Sequence, residues 1–138
     1  MKKELDDKLC KEFPLLYSDR HASMQETCMC WGFCCGDGWF DLIYRLSQKL
    51  EAIIGNMPED QQKHHRVSQV KEKFGTLRFY MRGETKEMSD LIREAHKESA
   101  RTCEECGCVG SLYTDGWWNT LCEKCAKEHG RSQEDDAT

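Results

Sequence analysis

At 138 residues the chain has room for one compact domain or a small domain with an appendage. Charged residues make up 33% and hydrophobic residues 38%, a balance that excludes a wholly disordered chain, and no apolar run is long enough for a membrane-spanning helix. The net charge of −5 argues against bulk binding to polyanions.

The opening stretch MKKELDDKLCKEF puts acids where a signal peptide needs an apolar core, so a cytoplasmic location and no membrane partner are expected. There are ten cysteines, and in that reducing compartment metal thiolates rather than disulfides are expected where they cluster. Leu5, Leu9 and Phe13 recur every four residues, which predicts a short helix ended by Pro14. Residues 18–36 show no period and form a cysteine-rich loop. Within it Cys28, Cys30, Cys34 and Cys35 are irregularly spaced. They read as small apolar packing under a loop, with a second metal site, helped by His21 or Cys10, as the alternative.

From Asp37, a candidate N-cap, the pattern sharpens. Trp39, Leu42, Ile43, Leu46, Leu50 and Ile53 trace one face of a helix that Gly55, Asn56 and Pro58 end. A partner surface follows. Leu77, Phe79 and Met81 alternate with Arg78, Tyr80 and Arg82 as in a half-buried strand, and Gly75 turns it back on an earlier strand around 67–72. Met88, Leu91, Ile92 and Ala95 then predict another helix over 84–101.

Charge is unevenly spread. Residues 63–82 carry six basic side chains and one acidic, whereas 1–62 carry seven against eleven and 83–138 carry seven against thirteen. Within the basic island, Lys71, Lys73, Arg78, Tyr80 and Arg82 could hold phosphates by charge and a base by stacking. They could equally dock an acidic protein surface, or form an ordinary solvated face. His64 and His65 read as a solvated pair.

The densest signal is Cys103-x-x-Cys106 and Cys122-x-x-Cys125, separated by 15 residues. This is the spacing of a four-cysteine Zn2+ site on a ribbon. Four thiolates close the coordination shell and leave no place for water or substrate, so the zinc is structural. Cys108 is the spare thiol, and a Cys106/Cys108 pairing is the tighter alternative that Gly107 permits. Two enzymatic readings compete. His96-Lys97-Glu98 before Cys103-x-x-Cys106 imitates a zinc-deaminase signature, but the proline context and the intervening sequence are missing. A redox CxxC is opposed by Glu104 and Glu105, whose charges raise a thiol pKa. No nucleophile–base motif or phosphate loop occurs, and no enzyme is expected. Trp117 and Trp118 either cover the zinc cysteines or stand out as apolar anchors for a partner.

The segments CGDGWFDLI at 35–43 and QVKEKFGTLRFY at 69–80, with the paired CxxC, resemble a family of small, mostly uncharacterised proteins of tailed bacteriophages and prophages. The likeness covers roughly residues 35–125, and Cys28, Cys30 and Cys34 depart from its pattern. It carries no activity. It implies a viral protein in the bacterial cytoplasm that binds a host protein, in its sharpest form as an inhibitor of antiviral defence. A nucleic-acid-binding accessory factor using residues 63–82 and the ribbon is the alternative. The expected architecture is α+β: helices packed on a β-hairpin over 1–100, a C-terminal zinc ribbon over 101–129, and a disordered polar tail over 130–138.

Overall fold

A computed structural model describes residues 1–20, 29 and 32–131. The chain is α+β, and its elements follow the apolar periodicities. Helix α1 (Lys3–Glu12) stops before Pro14, which cannot continue it. Strand β1 (Phe33–Cys34) leads to a 3-10 turn, Asp37–Trp39, and then to α2 (Phe40–Gly55). Asp37 does not cap α2. Its carboxylate accepts the Lys2 N–H at 2.7 Å instead, tying the N-terminus to this turn. After the short α3 (Glu59–Gln62) come β2 (Arg66–Lys73) and β3 (Thr76–Arg82). Helix α4 (Lys86–Ser99) follows, its N-cap Thr85 accepting from the Met88 N–H.

The sheet order is β1-β2-β3, with β1 parallel and β3 antiparallel to β2. A bulge between Val67 and Gln69 keeps both Val67 and Val70 pointing inward, where strict alternation would have turned one out. Inside, Trp39, Leu42, Ile43, Leu46 and Leu50 of the α2 stripe join Val67, Val70, Leu77 and Phe79 in one core. Of the stripe, Ile53 is only partly buried and Ile54 takes the fully buried position. Met88 and Ala95 enter from α4, with Leu91 and Ile92 at the edge. Cys35 lies in this core, and burial pushes its thiol up to about 12, with the charge of Glu104 adding to the effect.

Strands β4 (Ser111–Tyr113) and β5 (Asn119–Leu121) make a separate two-stranded ribbon, followed by α5 (Glu123–Glu128). Of the tail expected over 130–138, Gly130 and Arg131 are described and Arg131 is anchored. Its N–H donates to Ala126 O at 2.7 Å and its guanidinium donates to the Trp117 carbonyl. Residues 132–138 lie outside the described residues, as do 21–28, 30 and 31 of the cysteine-rich segment.

Two glycines seat the ribbon on the rest of the chain. The Gly38 N–H donates to Glu104 O at 2.7 Å, and a Cβ on Gly38 would collide with the carbonyl oxygen of Cys103. Gly75 (φ +82°) forms the β2–β3 turn with Phe74; the Thr120 hydroxyl donates to its carbonyl at 2.7 Å, and a Cβ there would meet Asn119 Cα at 3.1 Å. Glycines of the two distinctive segments, CGDGWFDLI and QVKEKFGTLRFY, are therefore among the points where the ribbon touches the core domain.

Candidate metal centre and aromatic groove

The thiols of Cys103, Cys106, Cys122 and Cys125 lie within 4.8 Å of one another. Four sulfurs about 2.3 Å from one ion would stand about 3.8 Å apart, and Cys106 Sγ and Cys122 Sγ are at 3.5 Å. The set fits a tetrahedral metal ion. Each pair is shaped by its backbone. Cys103 accepts from the Gly107 N–H at 2.9 Å and donates to Cys108 O at 2.8 Å, bending residues 103–108 into a tight knuckle. Cys122 is the N-cap of α5, and its sulfur accepts the Cys125 N–H at 3.4 Å. That bond lowers the pKa of the Cys122 thiol, whereas burial and the neighbouring thiols raise that of Cys125.

Three of the four, Cys103, Cys122 and Cys125, are buried with Tyr113, Leu121 and Ala126 in a second small core, while Cys106 and Cys108 are exposed. Cys108 lies outside the converging four. His96 is not among them either: its Nε2 meets Thr76 Oγ1 at 3.1 Å, and Glu98 pairs with Arg45 at 2.6 Å. His129 faces Glu105 Oε1 at 2.5 Å. Of the irregular set, Cys34 is exposed and the adjacent Cys35 is in the main core, while Cys28 and Cys30 lie outside the described residues.

Trp117 and Trp118 do not cover the cysteines. They are 77% and 45% exposed and stand on the ribbon facing the β2–β3 turn. There Phe74, 60% exposed, packs edge-on against Trp118 with ring centroids 6.1 Å apart. Between hairpin, ribbon and α4 opens a groove of about 840 Å³ whose walls are mainly apolar. Phe74, Trp117, Trp118 and Leu112 give it its rings and aliphatic surface, and Lys73, Arg78 and His96 its nitrogens.

The structure thus gathers four of the seven residues singled out for partner or nucleic-acid contact: Lys73, Arg78, Trp117 and Trp118. Lys71 is the cross-strand partner of Arg78, and Tyr80, exposed, borders a smaller cleft on the other side of Arg78. Arg82 pairs in register with Arg66 at the far end of the hairpin, and Arg66 is engaged by Asp19 at 2.7 Å. The basic island is therefore spread along the hairpin.

Phe74, Leu112 and His96 were not assigned to the groove from sequence. For Phe74 the signal was present. A two-residue hairpin loop of this kind needs φ > 0 at both positions, where Asn-Gly is the favoured pair, and Phe74 sits at φ 54°. A bulky residue in the left-handed region is an outlier held by its surroundings. No family model, no curated protein and no solved structure matches the chain.

Proposed function

We propose that this is a non-enzymatic binding protein whose zinc-held ribbon completes an aromatic groove for a segment of a partner protein. One observation carries the reading: Phe74 adopts a left-handed conformation that favours Asn or Gly, yet its ring is exposed beside Trp118 and Trp117. Strained residues with exposed aromatic side chains gather where a surface is kept for contact rather than for folding. Zinc is the metal assigned, because four thiolates suit a borderline-soft tetrahedral ion. A closed thiolate shell makes its role structural, fixing the ribbon that carries Trp117 and Trp118. The resemblance to bacteriophage proteins supplies the setting, a host protein in the bacterial cytoplasm, with inhibition of antiviral defence as the sharpest version. Nucleic acid fits less well. Both flanks of the basic island are net acidic, and they repel a polyanion at longer range.

The test is affinity capture from nuclease-treated bacterial lysate with the wild-type chain, Phe74→Asn and Trp118→Ala. Phe74→Asn keeps the turn and relieves its backbone, so it removes the ring without unfolding the protein. A host protein retained by wild type and lost by both variants supports the groove. Equal retention by all three chains removes the groove from the function, and loss of capture on nuclease treatment shifts it to nucleic acid.

A further inference from the structure

Arg78 stands out among the arginines. Arg20, Arg45 and Arg66 each meet a carboxylate at 2.6–2.9 Å. Arg78 forms no ion pair among the described residues, and its Nε is buried without a hydrogen-bond partner. It lies half-buried on β3 and lines the groove together with the aromatic residues and His96. The acid that lines the groove, Glu72, turns one oxygen to the hairpin turn, its Oε2 accepting the Gly75 N–H at 2.7 Å. Lys73 holds its ammonium 5.5 Å from the Phe74 ring, and Lys71 stands across from Arg78 in register. His96 adds no opposing charge: burial, and then the Arg78 guanidinium, lower its pKa and favour the neutral ring. The groove therefore has mainly apolar walls, two cationic side chains in Lys73 and Arg78, and one carboxylate, Glu72, that forms no ion pair with Arg78.

We infer that the occupant is a peptide segment of the partner carrying an Asp or Glu next to aromatic or aliphatic side chains, its carboxylate received by Arg78. A guanidinium takes a carboxylate through two parallel N–H···O bonds, and a desolvated unpaired Nε is the donor such an acid would satisfy. The rings around it would take the flanking apolar side chains, the arrangement in which aromatic anchors surround one desolvated polar contact. This rests on the partner-protein reading of the groove and adds the chemistry of the segment. A peptide fits better than a nucleic acid because the groove is lined by two cations, Lys73 and Arg78, beside a carboxylate, Glu72, rather than by a track of cations. Phe74 and Trp118 also meet edge to face, at 67° between ring planes, and give no parallel platform for successive bases.

The experiment is panning a displayed library of random peptides against the metal-loaded full chain, then measuring the enriched peptides by titration. The expected consensus is one acidic residue flanked by apolar ones. Replacing that acid by its amide should weaken binding to wild type about ten-fold or more and leave binding to Arg78→Gln nearly unchanged, the signature of direct pairing. Arg93→Gln, on α4 outside the groove, should bind like wild type. Enriched peptides that lack an acid, or whose acid matters equally in Arg78→Gln, overturn the carboxylate assignment. If those same peptides are still lost in Phe74→Asn, the groove stands and only its charge preference falls. Oligothymidylate or oligouridylate bound more tightly than any peptide, and released in Arg78→Gln, would assign the groove to single strands and overturn the proposal. Self-association abolished by Trp118→Ala would give it to a second copy, with the same consequence.

Discussion

Replacing Gly38 with alanine tests how the ribbon is held. Gly38 lies in the 3-10 turn before α2, and its φ is ordinary, so the objection to a side chain there is steric alone. An added Cβ would strike Cys103 O and come within 2.6 Å of Glu104 C and O. All of these are backbone atoms of the 103–108 knuckle, so no flexible side chain can swing aside. Relief requires the turn and the knuckle to separate. Three hydrogen bonds cross that seam: Gly38 N–H to Glu104 O at 2.7 Å, Gly36 N–H to Glu104 Oε2 at 2.8 Å, and Trp39 Nε1–H to Thr102 O at 2.8 Å. Losing part of this set, at about 1 kcal/mol per bond, together with the overpacking, predicts a loss of about 2–4 kcal/mol. For a chain of this size that lowers the melting temperature by about 6–12 °C. The four thiols are untouched, so the variant should still hold its metal. Thermal and urea unfolding followed by tryptophan fluorescence, with metal analysis on the same samples, reads both. Gly55→Ala is the control: a Cβ there meets nothing within 4 Å, and at the end of α2 it should be neutral or stabilise by up to about 1 kcal/mol. If Gly38→Ala melts with wild type, the seam is not where the ribbon is held.

The main core and the groove can be probed in the same way. Leu46, 4% exposed in the main core, should cost about 2–5 kcal/mol on truncation to alanine, measured by denaturant unfolding; an unchanged midpoint would mean that the α2 stripe faces elsewhere. His96 should titrate below its ordinary value of 6.5, so its contribution to stability is present above that pH and is lost as pH falls through the folded value. Arg78→Gln should move the His96 titration upward when followed by NMR, and no movement would place the guanidinium away from the ring.

Much of the main fold was legible because its signals are local. The α2 stripe and the alternation over Leu77–Met81 each declare a buried face within one element. The paired CxxC likewise carries its geometry in its spacing. What escaped depends on distant segments meeting. Strand β1 is two residues long and exists through parallel pairing of Phe33 with Val70, after a crossover that no local pattern encodes. Asp37 has the chemistry of an N-cap, but the Lys2 N–H reached it first. The groove is built from the β2–β3 turn, the ribbon and α4, so its residues lie in separate parts of the sequence. Trp117 and Trp118 could be read as cover for the cysteines until Tyr113 and Leu121 were seen to fill that role.

Whether a structural metal holds the ribbon as one wall of the groove can be read by amide NMR of the zinc-loaded chain before and after chelation, with elemental analysis. One zinc per chain is expected, kept in Cys108→Ser and lost in Cys122→Ser. On chelation, the resonances of 102–129 should collapse together with shifts at Gly38, Phe74, Gly75 and Thr76, where the ribbon is seated. Leu42, Ile43 and Leu50, deep in the main core, should stay in place. If the chain holds no metal, or if its Phe74, Trp117 and Trp118 signals ignore the metal's removal, the ribbon does not depend on a metal to form the groove.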